Sequence, residues 1–358
     1  MRILFVIRDM VSGGAGKQLA MTANALSRKG HEVFIYSYVG GENSHYIDSS
    51  VKYIAQKPVP KTKTSEYFYS IFNIRKQLKN VKPDVAISWR CNAGCFTVIA
   101  ALGTKIKTIF SQRTDPYMET SAALKLSAFV AGFSDGGVFQ LESVRKYFKR
   151  LYRKSIVIHN PIDVGKVCYN PIPYDERPNK IAYVGRMVLS QKRQDVMLAA
   201  FGIFLESCPD FVLHFYGDGR DIEQIKIMAK ELNVSKSVIF HGAVENVPDL
   251  IRDAKILVLT SDYEGIPNVV LEAFSVGVPV VSTDSSPGGA RLLIEDGKNG
   301  FLAPVGDAKT IAKKMSEVVK NDKIAERFIN QGRVRIADFE PDKIFDGWND
   351  YLLSFKRK

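Results

Sequence analysis

The stretch MRILFVIRDMVSGGAGKQLAMTANALSRKGHEVFIY (residues 1–36) decides the fold class of this chain. Ile3-Leu4-Phe5-Val6-Ile7 is an unbroken apolar run, as a strand buried on both faces requires. Small residues, Ser12-Gly13-Gly14-Ala15-Gly16, follow it. From Lys17 to Lys29, Leu19, Ala23 and Leu26 share one helical face, and Gly30 supplies the stop common just past a helix. Val33-Phe34-Ile35-Tyr36 is then a second strand. Strand, helix and strand in this order build a parallel sheet covered on both faces.

Outward from this unit the alternation continues through Val85–Ser88, Thr108–Phe110 and Ile156–Ile158. Residues 160–179 break it. Pro161, Pro171, Pro173 and Pro178 fall there without periodicity, which is a linker composition. The alternation restarts with Ile181–Val184, Phe211–Tyr216, Val238–Phe240, Ile256–Leu259 and Pro279–Ser282. The expectation is an α/β protein of two doubly wound, Rossmann-like parallel-sheet domains facing across a cleft. The first covers 1–165 and the second 166–335, and a terminal helix in 336–358 packs back towards the first. Ligands of such sheets bind beyond the carboxyl ends of the strands.

The 358 residues are 46% hydrophobic and 25% charged, enough for two cores. The longest uncharged stretch, Cys91–Thr104, falls short of the roughly 18 residues of a membrane span. Arg8 and Asp9 break the N-terminal apolar run too early for a signal peptide, so a cytoplasmic protein is expected. Cys91, Cys95, Cys168 and Cys208 form no C-x-x-C pair and read as buried thiols. The five histidines are scattered, and no metal site is read.

The net charge of +12 is unevenly placed. Residues 1–170 hold 25 Lys and Arg against 11 Asp and Glu, and residues 171–358 hold 25 against 27. Such a basic half favours a polyanion, an acidic substrate or an anionic membrane surface. With no stacking platform and no recognised nucleic-acid motif, nucleic acid is not the expected partner. The segment 141–154 carries six Lys and Arg and one Glu. Leu141, Val144, Tyr147, Phe148, Leu151 and Tyr152 interleave with them at helical spacing. It reads as a basic amphipathic helix in a lipid interface, or as a core-packed helix with a solvated basic face.

Three stretches carry chemistry. Ser12–Gly16 lies before a helix start, where glycines let backbone approach a ligand and free N–H groups favour phosphate. Val11 and Gln18 stand where a Walker A loop needs Gly and Ser or Thr, and a ligand-free turn fits the same residues. Gly185-Arg186 ends the first strand of the second domain, and Lys192-Arg193 follows. Two fixed cations at a strand end suit a diphosphate, with Arg193 read as surface basicity. The most specific stretch is Glu264-Gly265-Ile266-Pro267-Asn268-Val269-Val270-Leu271-Glu272-Ala273. Pro267 reads as a first-turn proline and Gly277 as a stop, placing Glu264 in the loop and Glu272 about two turns into the helix. Carboxylates accept paired hydrogen bonds from vicinal hydroxyls. Two of them beside a phosphate-binding helix start match a nucleotide sugar.

These residues resemble the retaining glycosyltransferases of family 4, which have the GT-B architecture. Glu264 and Glu272 match that family's E-x7-E pair. Gly13-Gly14, Gly30-His31-Glu32-Val33, Asn160-Pro161-Ile162-Asp163, Gly185-Arg186 with Lys192, Gly217-Asp218-Gly219 and Asp296-Gly297 through Leu302 match further motifs in order along nearly the whole chain. The resemblance implies a hexose or N-acetylhexosamine transferred from a UDP-sugar to a lipid-linked or polysaccharide acceptor in cell-surface polysaccharide synthesis. It implies retention at the anomeric carbon, no cofactor and no metal, since Arg186 and Lys192 would neutralise the leaving diphosphate. Glu264 with Gly265, Ile266, Pro267 and Asn268 would hold the donor sugar, Glu272 the ribose, Gly13 and Gly14 the donor phosphate, and residues 242–246 would border the base. The basic first domain would take the acceptor at the inner face of the membrane.

Two stretches depart from the family pattern. Where many members carry a His, this chain has Ser111-Gln112-Arg113-Thr114-Asp115-Pro116, so Arg113 or Asp115 is a candidate for contact with acceptor or donor. Pro287-Gly288-Gly289-Ala290-Arg291 replaces a Gly-Pro and acidic pattern and reads as a loop over the diphosphate. The alternative is a UDP-sugar epimerase of the same architecture, which would lack a reason for the basic half.

Overall fold

The computed structural model describes residues 1–11, 14–56, 63–118, 121–162 and 172–356. It divides into two compact units, Met1–Pro161 with Pro341–Lys358, and Ile162–Glu340. The linker motif's Asp163 lies outside the described residues.

The first unit holds seven strands: β1 (Arg2–Ile7), β2 (Glu32–Ser37), β3 (Lys52–Ala55), β4 (Val85–Trp89), β5 (Lys107–Gln112), β6 (Gly136–Phe139) and β7 (Ser155–Val157). They pair in parallel in the order β3-β2-β1-β4-β5-β6-β7. Strand β1 is buried on both faces, as its apolar run demands. Ile3 and Phe5 join Leu19, Ala23 and Leu26 on one side, and Leu4 and Val6 join Ile74, Leu78 and Phe96 on the other. Each such side chain contributes about 1.5–3 kcal/mol by leaving water.

The second unit holds β8 (Lys180–Val184), β9 (Val212–Tyr216), β10 (Val238–Phe240), β11 (Ile256–Leu259), β12 (Val280–Thr283) and β13 (Phe301–Ala303). Their order is β10-β9-β8-β11-β12-β13, again parallel. Both sheets reverse strand order once, between β1 and β4 and between β8 and β11.

The C-terminal helix Pro341–Leu353 packs in the first unit. Trp348 stacks on Trp89 with ring centroids 5.9 Å apart, and both are 1% exposed. The Tyr351 hydroxyl accepts from the Gly137 amide at 2.9 Å and donates to the Lys154 carbonyl at 2.6 Å. A Cβ on Gly136 would lie 2.4 Å from that hydroxyl oxygen, so glycine there makes room for this helix.

Three sequence expectations change. The first helix spans Gly14–Arg28, so Gly14, Ala15 and Gly16 form its opening turn rather than a loop. The helix after β11 is Asn268–Ser275 with Pro267 as its N-cap, which puts Glu272 little more than one turn in. The segment 141–154 is not one amphipathic helix. It is a short helix, Glu142–Tyr147, followed by a 3-10 turn at Tyr152–Lys154. Leu141, Val144, Phe148 and Leu151 are all 5% exposed or less. Phe148 stacks on Phe139 at 5.2 Å and meets Phe110 edge-on at 5.0 Å. Its apolar face is spent on the sheet, which takes those side chains away from lipid. Among the described residues no helix is long and apolar enough to cross a membrane.

Candidate functional site

Doubly wound sheets bind ligands in the crevice beyond the strands' carboxyl ends where strand order reverses, which in the second unit is between β8 and β11. Gly185 and Arg186 leave β8 there, and Glu264 follows β11. A short helix, Leu189–Lys192, carries Lys192 as its last residue. The Lys192 ammonium and the Glu264 carboxylate form an ion pair with side chains only 15% and 13% exposed. Ser261 Oγ donates to the same Glu264 oxygen at 2.8 Å. The Lys192 carbonyl accepts from Tyr183 at 2.6 Å and Thr260 at 3.0 Å, which fixes the backbone under the ammonium. Burial drives the Tyr183 hydroxyl well above its usual range, so it stays a donor.

Arg186 is exposed, and its Nη2 donates to Gln191 Oε1 at 3.0 Å. Gln191 in turn donates to the Tyr263 carbonyl at 3.2 Å, tying the β8 loop to the Glu264 loop. Arg193 is not free surface charge: it bridges Asp195 and Asp262, each at 2.9 Å, and those carboxylates raise its pKa. Of the cations after β8, Arg186 is the one facing solvent with a neutral partner.

The glycines of this region are needed for close backbone approach. A Cβ on Gly217 would lie 2.1 Å from the Gly185 carbonyl oxygen, and one on Gly219 would lie 2.4 Å from that of Met187. The Gly217 amide donates to the Gly242 carbonyl at 2.7 Å, which brings the residue 242–246 stretch beside these turns. Gly289 is tighter still, with a Cβ there only 1.6 Å from the Gly265 carbonyl oxygen. The 286–289 turn is therefore fitted to the Glu264 loop, whose Glu264 amide donates to the Ser286 carbonyl at 2.8 Å. Arg291 is held by Asp284 at 2.5 Å. Ile266 and Pro267 are buried beneath the loop, and Asn268 and Glu272 are half-buried on the helix it feeds. Asn299, in the Asp296–Leu302 motif, binds the Glu295 amide and the Leu293 carbonyl, so that motif is a structural turn into β13.

In the first unit, Gly14 is exposed at the helix start, while Gly13 lies outside the described residues. Arg113 leaves β5 and is buried, 8% exposed. Its guanidinium carbon lies 4.0 Å from the Trp89 ring centroid and 5.5 Å from that of Trp348, and Nη1 donates to Asn160 Oδ1 at 3.3 Å. Burial pulls its pKa down to about 9. Asp115 is 7% exposed and accepts from the Tyr117 amide at 2.8 Å. Among the described residues no three His, Cys, Asp or Glu side chains gather as a metal site.

Comparison with known proteins places this geometry. A family model for glycosyl transferases group 1 matches residues 170–335, and one for glycosyltransferase family 4 matches residues 12–166. The chain belongs to glycosyltransferase family 4. The transferase is 29% identical to an N-acetyl-D-galactosaminyltransferase of Campylobacter jejuni that acts on an undecaprenol-diphosphate-linked saccharide, over 99% of each chain. It is 27% identical to the lipopolysaccharide 1,6-galactosyltransferase of Salmonella typhimurium, over 80% of this chain and 79% of that one. Its fold matches Anabaena HepE, solved with UDP and glucose, at a TM-score of 0.81 and 17% identity, over 99% and 100% of the two chains. The two parallel sheets are those of the GT-B fold.

Sequence motifs thus located Arg186, Lys192, Glu264 and Gly289. They missed Tyr183, Gln191, Thr260 and Ser261, which hold the charged groups in place. These belong to no motif and are found only once the strands are paired.

Proposed function

We propose that the transferase moves a hexose or N-acetylhexosamine from a UDP-sugar to a lipid-linked or polysaccharide acceptor in surface polysaccharide synthesis. Transfer retains the anomeric configuration, needs no metal or cofactor, and takes place at the inner face of the membrane. The observation that carries this reading is the sequestered Lys192–Glu264 pair at the β8–β11 reversal, with Arg186 beside it.

In this reading the donor diphosphate lies across Arg186 and Lys192. As the bond to the anomeric carbon breaks, charge grows on the diphosphate, and preplaced cations stabilise it there most. Glu264, held by Ser261 and Lys192, accepts from donor-sugar hydroxyls. The turn at Gly265–Asn268 offers backbone N–H groups to the sugar and phosphate. Glu272 holds the ribose, and residues 242–246 border the base. The basic first unit receives the acceptor. Arg113 acts from within its tryptophan cage, by setting the shape of the β5 loop that carries Asp115. Support for the donor class comes from the UDP and glucose of the Anabaena structure, and for the acceptor class from the Campylobacter and Salmonella relatives.

A panel of nucleotide sugars tests the donor class. UDP-sugars should raise the melting temperature with concentration, since binding to the native state alone stabilises it. Transfer should require acceptor and survive EDTA, and product spectra should show the donor's anomeric configuration. Interconversion of the nucleotide sugar without acceptor would instead make the protein an epimerase.

A further inference from the structure

With Leu141, Val144, Phe148 and Leu151 buried, exposed apolar side chains of the basic unit lie on other elements. The helix Ala122–Ala131 presents Leu126, Phe129 and, just past its end, Phe133 to solvent, 62%, 53% and 54% exposed. They follow one another at i, i+3 and i+7, one stripe of a helix. Phe129 and Phe133 meet edge-to-face at 5.3 Å. Arg150 reaches across to both, its guanidinium 4.9 Å from one ring and 4.4 Å from the other. A contiguous exposed aromatic patch is uncommon on a monomer and marks an interaction surface.

The charge around the stripe selects its partner. Residues 121–154 contain seven Lys and Arg and two Asp and Glu. Both carboxylates are engaged, Asp135 with Lys107 at 2.8 Å and Glu142 with Arg145 at 3.3 Å. Lys125, Lys146, Lys149, Arg150, Arg153 and Lys154 are exposed. An apolar stripe with Arg150 against its rings, in a stretch of chain whose charged residues are mostly basic, suits a surface that is apolar inside and anionic at its rim. A bilayer carrying anionic lipid is such a surface. Arg150 suits that boundary: its guanidinium lies against both rings, and an N–H fork matches the geometry of a phosphate.

We propose that Leu126, Phe129 and Phe133, with Arg150 between the rings, are the surface by which this protein sits on an anionic membrane. The 142–154 segment contributes charge to this contact and no inserted side chains. The proposal rests on the reading of a membrane-bound acceptor.

The test is sedimentation of the full chain with vesicles of phosphatidylglycerol and phosphatidylcholine, against vesicles of phosphatidylcholine alone. The wild-type protein should sediment with the anionic vesicles and be released as salt rises. The double variant Phe129→Ser, Phe133→Ser should lose about tenfold or more in partition, and Arg150→Gln about fivefold. Leu126→Ser serves as a second apolar variant should the double one melt early. UDP-induced stabilisation should be unchanged in all of them. Wild-type partition by Leu126→Ser and by a folded double variant would overturn the proposal, as would a wild-type protein that ignores anionic vesicles. So would a wild-type dimer abolished by these substitutions, which would make the stripe a self-interface. Failure of UDP to stabilise the wild-type protein would sink the donor reading and leave the vesicle result standing.

Discussion

Lys192 and Arg113 are both cations withdrawn from water at the carboxyl end of a parallel sheet, and they keep different company. Lys192 has a carboxylate, Glu264, which itself has Ser261. Arg113 has two tryptophan faces and an amide oxygen, and no carboxylate lies within ion-pairing distance of it among the described residues. An ion pair in a crevice can be exchanged for another anion without repacking a core. A guanidinium caged between β4 and the C-terminal helix cannot leave without loosening both. The first arrangement suits chemistry and the second suits architecture, so substitutions should divide turnover from stability between them.

The largest effect is expected at Lys192. Lys192→Ala should lower kcat by about 100-fold or more, with KM changing less because leaving-group charge is greatest in the transition state. Glu264→Gln keeps the shape and should cost tenfold or more through weakened hydroxyl contacts. Full turnover in both would end the assignment of this pair. Next comes Gly289→Ala, whose new methyl meets the Gly265 carbonyl. Relieving that contact must move the Glu264 loop by more than an ångström, which should reduce kcat about 100-fold, while circular dichroism shows the rest of the fold kept. Arg113→Ala should act on the other side of the comparison. Loss of two cation–π contacts and of packing should destabilise the protein by about 2–4 kcal/mol in urea unfolding. A variant that melts like wild type yet turns over as poorly as Lys192→Ala would show that the two cations share one role.

The smallest effect concerns pH. His214 and His241 face each other at 2.9 Å on the second unit, and burial with nearby Lys180 lowers both, His214 to about 4. A histidine whose folded pKa lies below its unfolded value stays neutral in the native state while the unfolded chain takes up the proton. Stability should therefore be full above pH 6.5 and fall progressively towards pH 4. In the double variant His214→Gln, His241→Gln the slope between those values should shrink, as urea midpoints at a series of pH values will tell.

Ten of the thirteen described strands are apolar runs that the sequence displays openly. Three are not. β6 begins Gly136-Gly137 and reads as a turn, because its glycines answer to Tyr351 and Phe355, more than two hundred residues away. β3 (KYIA) and β13 (FLA) have no run of β-branched residues to mark them as strands. The same limit governs the sites. Glu264, Lys192 and Arg186 sit in motifs, and nothing local says that Arg113 lies between two tryptophans. Nor does spacing alone reveal where an apolar face is used: 141–154 has a lipid-binding pattern and turns it onto Phe110 and Phe139.

Calorimetric titration with UDP in the presence of EDTA tests the central claim most directly, that the β8–β11 crevice of the second unit binds the donor diphosphate through this chain's own cations. Arg186 is exposed, and its side chain bonds Gln191 alone among the described residues, so Arg186→Ala should fold as wild type does. The account predicts metal-independent binding by the wild-type protein and a Kd raised about tenfold or more in Arg186→Ala, the worth of a charge-assisted hydrogen bond. Equal affinity in the two proteins, or binding that vanishes with EDTA and returns with a divalent cation, would contradict it.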